Sequence, residues 1–271
     1  MPIRDDDFKD QIETAMPNLN HIVRKFDRFE LKYLVPHKTA VAFKQSLGAY
    51  LVPDDHGDSH GRYYLSSLYY DSPDLRFYHE KIDGINIRRK LRIRHYESSA
   101  PLTEHTTVFV EIKQRVNRVT QKRRVVLPYG DALQLCNERL TPDYAPQDTA
   151  VIDEITCMLW QYNLRPRSIV RYSREALVSA DYDVGLRVTF DNDLSYQVNH
   201  LELDEESNSF PLFPSGWTIV EIKVNERIPY WLSELIALHN LNLVRVSKYC
   251  RSIELAHDQA LSTWRLADLI A

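Results

Sequence analysis

The chain has 271 residues, 44% hydrophobic, 27% charged and 11% aromatic, with a net charge of −4. Those values fit a globular protein with a substantial core and exclude a disordered chain or a nucleic-acid binder that works through overall basicity. Three widely spaced cysteines without a CxxC pair fit a reducing cytoplasm, no apolar run approaches the ~20 residues of a membrane span, and Met-Pro-Ile-Arg-Asp-Asp-Asp is no signal peptide, so any membrane link is expected through a partner.

Residues 1–24 are polar and weakly periodic and read as a tail or a short helix. From 26 to 35 the sequence alternates, with Glu30 and Lys32 on one side and Phe29, Leu31 and Tyr33 on the other, which predicts a strand. Pro36 ends it and opens a helix over 37–48. The following loop, 53–61, holds Asp54, Asp55, His56, Asp58 and His60; nothing there fixes a metal cluster, and it reads as solvated. A strand at 63–70 carries Tyr63, Tyr64, Tyr69 and Tyr70 as packing residues, and Ser72-Pro73 starts a short helix that stops before Gly84.

The strand 85–96 is the most unusual stretch, since five of the seven residues from Arg88 to Arg94 are basic. Alternation puts Arg88, Lys90, Arg92 and Arg94 on one face and Leu91 and Ile93 on the other, with Arg88 and Arg89 as readily at a rim as inside. Neighbouring like charges repel by roughly 4 kcal/mol at 4 Å and an effective dielectric near 20, so this face calls for carboxylates, a polyanion or both. A strand at 107–115 and its hairpin partner 118–127, with Lys122-Arg123-Arg124, come next, then helices over 130–140 and 148–163. Strands are predicted at 168–178, 184–191 and 217–224, with a loop or short hairpin over 197–216 between the last two. Pro229 starts a helix, 243–246 is extended, and a last helix spans 248–268. The pattern predicts an α+β protein built on an eight-stranded antiparallel β-barrel with flanking helices, forming one domain over 25–271.

One motif recurs: Glu30-Leu31-Lys32, Glu111-Ile112-Lys113 and Glu221-Ile222-Lys223. In each, the charges share a strand face and the aliphatic residue between them faces the other way, so a barrel built from these strands is charged inside and apolar outside, under helices. The plain alternative is an exposed sheet face with cross-strand ion pairs. Opposed rows of guanidinium and ammonium groups match phosphoryl oxygens, and carboxylates among them, Glu30, Glu111 and Glu221, make sense as ligands for Mg²⁺ or Mn²⁺ bridging phosphates. Lys90 and Lys223 fall on the same charged faces.

The ordered series Arg28-Phe-Glu-Leu-Lys-Tyr33, Ser67-Leu-Tyr-Tyr-Asp71, Lys90-Leu-Arg-Ile-Arg94, Glu111-Ile-Lys113, Lys122-Arg-Arg124, Tyr172-Ser-Arg174, Leu186-Arg-Val-Thr-Phe-Asp191, Glu221-Ile-Lys223 and Ser247-Lys-Tyr249 resembles the VTC domain. That domain is the catalytic module of the vacuolar transporter chaperone polyphosphate polymerase, in the triphosphate tunnel metalloenzyme superfamily. The resemblance implies phosphate-binding or catalytic positions at Lys32, Arg92, Arg94, Lys113, Lys122 or Arg124, Arg174, Arg187 and Lys248, with Arg245 as a further basic residue and Glu221 as the metal ligand. Two departures stand out. Arg28 occupies the first Glu position of the Glu-x-Glu-x-Lys strand that hydrolytic relatives carry, and the SPX domain that precedes VTC domains in fungi has no room in residues 1–24, so control by that route is not expected.

The implied activity is transfer of the γ-phosphoryl group of a nucleoside triphosphate, ATP, to an inorganic polyphosphate chain. Without a Walker or kinase glycine loop, the phosphates would be held by side chains, and Ser247-Lys248 at a helix start would add an N-cap and a favourable dipole. The alternatives are hydrolysis of tripolyphosphate or an organic triphosphate, disfavoured by Arg28, and a non-catalytic polyphosphate binder. The expected setting is the cytoplasm, with a membrane-protein partner for export and no nucleic acid.

Overall fold

The computed structural model describes residues 28–97, 100–117, 119–179, 185–204, 209–225 and 227–258; the reading of 1–24 and the end of the last helix lie outside them. In chain order the elements are β1 (Arg28–Pro36), α1 (His37–Leu47), β2 (Leu51–Pro53), β3 (Arg62–Asp71), α2 (Arg76–Ile82), β4 (Ile87–Glu97), β5 (Thr107–Val116) and β6 (Val119–Pro128). Then follow α3 (Tyr129–Leu133), α4 (Thr149–Gln161), β7 (Arg165–Ser179), β8 (Arg187–Gln197), β9 (Phe210–Pro211), β10 (Trp217–Asn225) and α5 (Tyr230–Leu238). A last helix, α6, covers 248–258.

Eight of these strands form one antiparallel path, β1-β10-β8-β7-β3-β4-β5-β6, with β2 and β9 attached to β7 and β8. This is the α+β tunnel architecture that the alternating strands predict, with one difference. Among the described residues no ladder joins β6 to β1; the sheet curls until side chains and the 243–247 segment cross the seam. Lys113 of β5 reaches Glu30 of β1 at 2.9 Å, Val244 donates its N–H to the carbonyl of Lys32 at 2.8 Å, and Lys90 of β4 donates to Ser247 Oγ at 2.6 Å.

The Glu-x-Lys pattern explains the curl. Tyr33, Val35, Val188, Phe190, Val220, Ile222 and Val224 form one outer core with Phe43 and Leu47 of α1 and Leu232 of α5. Leu91, Ile93, Val110, Ile112 and Val125 form another with Leu135, Ile152, Ile155 and Leu159, under α3 and α4. Each fully buried aliphatic side chain is worth roughly 1.5–3 kcal/mol, so these outward residues hold the alternation and leave their charged neighbours to face inward.

The inside is not charged throughout, which corrects the expectation of a wholly polar bore. Leu65, Val170, Leu194, Tyr196 and Ile219 point inward and pack with Tyr249 and Cys250 of α6, so the last helix fills one end of the curl. The predicted strand stopping at 191 misses this because β8 runs on to Gln197 through an irregularity opposite Arg171 and Ser173. Asp193 there has φ +52°, and the extra residue flips the alternation, bringing Leu194 and Tyr196 inside. The helix predicted over 130–140 is instead α3 followed by a π-helical turn, Gln134–Glu138, that stops at left-handed Arg139.

Candidate functional site

The charged part of the concave face has two opposed walls. On the first, β1, β10 and β8 run side by side, with Lys32 level with Glu221 and Glu221 level with Thr189. Glu221 is buried, and its Oε1 accepts from Lys32 and Lys248, each at 3.0 Å. Its Oε2 faces Arg174 at 3.7 Å and Lys223 at 3.8 Å. Glu30 shares Lys32, also at 3.0 Å. Lys248 comes from the first turn of α6, where Ser247 Oγ accepts from the N–H of Cys250 at 3.2 Å, the N-cap that the sequence predicts. Asp191, wholly buried, takes Arg174 Nε at 2.5 Å and Nη2 at 2.8 Å, and Lys248 at 2.5 Å.

The second wall is β4, β5 and β6. Arg92 donates Nε and Nη2 to one oxygen of Glu111 at 2.9 and 2.7 Å, and Lys122 reaches the other oxygen at 3.2 Å. Arg92 Nη1 also donates to the Tyr69 hydroxyl at 3.0 Å. Arg94 is buried against Ser67 Oγ and the Tyr172 hydroxyl, at 3.2 and 3.0 Å. Arg124 is exposed and lies over the Phe109 ring at 4.6 Å. Lys113 and Lys122 show more than a third of their side chains to solvent, against 6% for Glu221.

The electrostatics follow from this crowding. Burial would push the carboxyl of Glu221 up, but Lys248, Lys32, Lys223 and Arg174 hold it well below the usual range. The same contest leaves Glu30, Glu111 and Asp191 lowered, through Lys32 and Lys113, through Arg92 and Arg94, and through Arg174 and Lys248. Lys32 is raised in spite of burial, by Glu221 and Glu30. Lys223 is not: burial outweighs the distant Glu221 and takes it down to about 7. Tyr69 is buried, which raises a phenol, yet Arg92, Arg94 and Lys90 draw it to about 7. Lys90, desolvated among cations, is lowered.

Most residues singled out in the sequence converge here: Lys32, Lys90, Arg92, Arg94, Lys113, Lys122, Arg174, Lys223 and Lys248, with Ser247, Glu30, Glu111 and Glu221. Arg187 joins them on β8, pinned through Nη2 by Asp54 Oδ2 at 2.7 Å and the Tyr63 hydroxyl at 2.8 Å. Some do not converge. Arg245 is exposed on the 243–247 segment. Arg123 faces outward to Glu154 on α4 at 2.5 Å, and Arg89 is bound to Glu80 and Tyr162. The reading of the 53–61 loop as solvated fails for Asp54, which is buried and holds Arg187. Tyr63 and Tyr69 are more than packing, since their hydroxyls position arginines, whereas Tyr70 packs outward and donates to Asn137 at 2.8 Å. Asp191 and Tyr172 stand in the sequence motifs, but their roles appear only in the fold, because Asp191 holds Arg174 and Lys248 and Tyr172 holds Arg94, all distant in sequence.

The three carboxylates expected to hold a metal do not gather into one site. Among the described residues no cluster of three or more His, Cys, Asp or Glu side chains forms. Glu111 is taken up by Arg92 and Lys122 on the second wall, while Glu221 and Glu30 flank one ammonium on the first. Two carboxylates and no softer donor suit a hard cation such as Mg²⁺ or Mn²⁺ that takes its remaining ligands from phosphate oxygens and water. Glu221 and Glu30 are donors of the type such an ion takes.

A family model, that of the VTC domain, matches residues 27–257. The chain is similar to the vacuolar transporter chaperone complex subunit 4 of Trypanosoma brucei brucei, with 26% identity over 221 residues, which is 70% of this chain and 28% of that protein. This chain therefore matches well under a third of that relative's length. Among solved structures, the PH1819 protein of Pyrococcus horikoshii aligns over 85% of this chain and 99% of its own, with 11% identity and a TM-score of 0.43. HpAC1 of Hippeastrum, credited with a dominant triphosphatase activity, aligns over 83% and 94%, with 12% identity and a TM-score of 0.45.

Proposed function

The chain belongs to the VTC domain family, and on that premise we propose that it is a polyphosphate polymerase, carrying the γ-phosphoryl group of ATP to the end of an inorganic polyphosphate chain in the bore. The observation that carries this reading is the meeting of Lys32, Arg174, Lys223 and Lys248, from three strands and a helix, on the single buried carboxylate of Glu221. A bond forms from a terminal phosphate oxygen of the acceptor to Pγ as the bond from Pγ to the bridging oxygen of ADP breaks. The acceptor oxygen is already ionised, so no general base is needed, and the protein's contribution is alignment and charge neutralisation.

Lys32, Arg174, Lys223, Arg187 and Lys248 on the first wall, and Lys90, Arg92, Arg94, Lys113, Lys122 and Arg124 on the second, would hold the phosphates, with Ser247 orienting Lys90. Glu221, with Glu30, would hold the Mn²⁺ or Mg²⁺, which when bound offsets charge on the phosphoryl oxygens. Residues 25–271 would act as one domain. No helix among the described residues is long and apolar enough to cross a membrane; the name of the trypanosomal relative, a vacuolar transporter chaperone complex subunit, supports work within a complex, to which this reading adds a membrane-protein partner for export and a cytoplasmic setting. Incubation of the pure protein with ATP and Mn²⁺ tests the reading. A ladder of phosphate polymers is expected; orthophosphate alone would make the bore a hydrolase, and neither product would make it a binding module.

A further inference from the structure

Buried polar side-chain atoms without a partner are few among the described residues, and two of them sit two positions apart on β8: Arg187 Nε and Thr189 Oγ1. Both belong to the concave face. Val188 and Phe190, on either side of Thr189, lie in the outer core with α1 and α5, and Asp191, next in the inward row, holds Arg174 and Lys248. Arg187 is level with Lys223, and Thr189 lies between Glu221 on β10 and Ala176 on β7.

The hydroxyl of Thr189 is not needed by the fold. Valine has the same shape and suits a buried strand at least as well. Nor does the hydroxyl serve its neighbour, because the oxygens of Glu221 already face Lys32, Lys248, Arg174 and Lys223. What remains is a donor without an acceptor, beside an arginine whose Nη2 is held by Asp54 and Tyr63 and whose Nε is left over. Two donors on one strand face, flanked by cations, match the oxygens of a tetrahedral anion.

We propose that Thr189 Oγ1, beside the Arg187 already counted among the phosphate-holding cations, is a direct contact for a non-bridging oxygen of the phosphoryl group that lies against Glu221. This deepens the reading of the bore as a polyphosphate site and rests on it. Entry of the anion draws the ammonium groups of Lys32 and Lys248 from carboxylate to phosphate, opening the floor on which Thr189 stands.

The test uses the whole chain and inorganic tripolyphosphate without metal, with affinity read by calorimetry and stability by thermal melting. Thr189→Val is expected to melt higher than the wild type when ligand-free, because a stranded hydroxyl becomes a methyl, and to bind tripolyphosphate about tenfold more weakly. Thr189→Ser is expected to keep the wild-type affinity within about twofold, as only the hydroxyl matters in the proposed contact. Unchanged affinity in Thr189→Val overturns the proposal, as does weaker binding accompanied by a lower melting temperature, the mark of a purely structural hydroxyl. If the valine variant does not fold, Thr189→Ala, which also lacks the hydroxyl, decides: weaker binding than Thr189→Ser supports the contact and wild-type binding rejects it. A wild type that does not bind tripolyphosphate sinks the underlying reading instead.

Discussion

The two walls of the bore hold their cations differently. On the β1–β10–β8 wall, Lys32, Arg174 and Lys248 are each ion-paired to Glu221, Asp191 or both, and all three lie largely out of solvent. On the β4–β5–β6 wall, Glu111 anchors Arg92, but Lys113 and Lys122 leave their heads partly in water and Arg124 has only an aromatic ring beneath it. A polyanion meeting the first wall must trade places with buried carboxylates for every cation, whereas on the second Lys113, Lys122 and Arg124 already reach solvent. On the proposed reading the first wall would hold the reacting group, and the second would hold the polyphosphate chain.

Breaking the first wall is expected to have the largest effects. Glu221→Gln keeps the shape and removes the charge that four cations share; turnover is expected to fall by on the order of 10²–10³-fold, the scale for one preorganised electrostatic contact at a reacting centre. Binding of tripolyphosphate is expected to persist or tighten. Wild-type turnover in that variant would remove Glu221 from the chemistry. Asp191→Asn strands Arg174 and Lys248 in a buried setting and is expected to cost about 3–5 kcal/mol of stability, read by denaturant unfolding. A loss under about 1 kcal/mol would mean that Glu221 alone can hold both cations.

Much of this was legible in the sequence because strand alternation is a local signal. Glu30, Lys32, Arg92, Glu111, Glu221 and Lys223 could be assigned to inward faces from the aliphatic residues beside them, and the same alternation already separates Arg123 from Lys122 and Arg124. Asp191 shares that alternation, with Val188 and Phe190 facing out beside it, but alternation alone does not show what it holds: its partners Arg174 and Lys248 are 17 and 57 residues away in sequence. The irregularity near Asp193 also hid the far end of β8, since one extra residue reverses which side chains face in. That α6 enters the curl depends on inward Leu194, Tyr196 and Ile219 needing cover, a demand that exists only after the sheet has formed.

A sharper contrast between the walls comes from titration. Tyr69 faces Arg92, Arg94 and Lys90 and stacks on Tyr249, and these cations hold its phenol near 7 although burial opposes ionisation. In the window between about 7 and the ordinary phenol value of 10, the unfolded chain keeps a proton that the folded chain has lost. This group's contribution to stability is therefore fully present above 10 and is lost as pH falls through 7. Ultraviolet titration of the ligand-free protein is expected to show one tyrosine ionising near 7, absent in Tyr69→Phe. Tripolyphosphate, bringing negative charge to the same cations, is expected to restore the proton, so that binding at pH 8 takes up protons from buffer and weakens as pH rises. Ionisation only near 10 would mean that Arg92 is neutralised by Glu111 alone.

The smallest effect separates the walls most cleanly. Lys122 sits opposite Lys113 across the β5–β6 ladder and reaches Glu111 at 3.2 Å with nearly half of its side chain in solvent. Lys122 is the exposed partner of a buried carboxylate that keeps Arg92 when Lys122 is lost, so Lys122→Ala is expected to leave the melting temperature almost unchanged. Its loss still removes one cation from the path of a polyanion, and the affinity for long polyphosphate is expected to fall a few-fold, more at low salt than at high salt. Turnover of ATP at saturation is expected to stay within about twofold of wild type, since a contact made equally in the ground and transition states changes binding and not the chemical step. A loss of turnover matching that of Glu221→Gln would place the reacting phosphate against the second wall and reverse the assignment of the two.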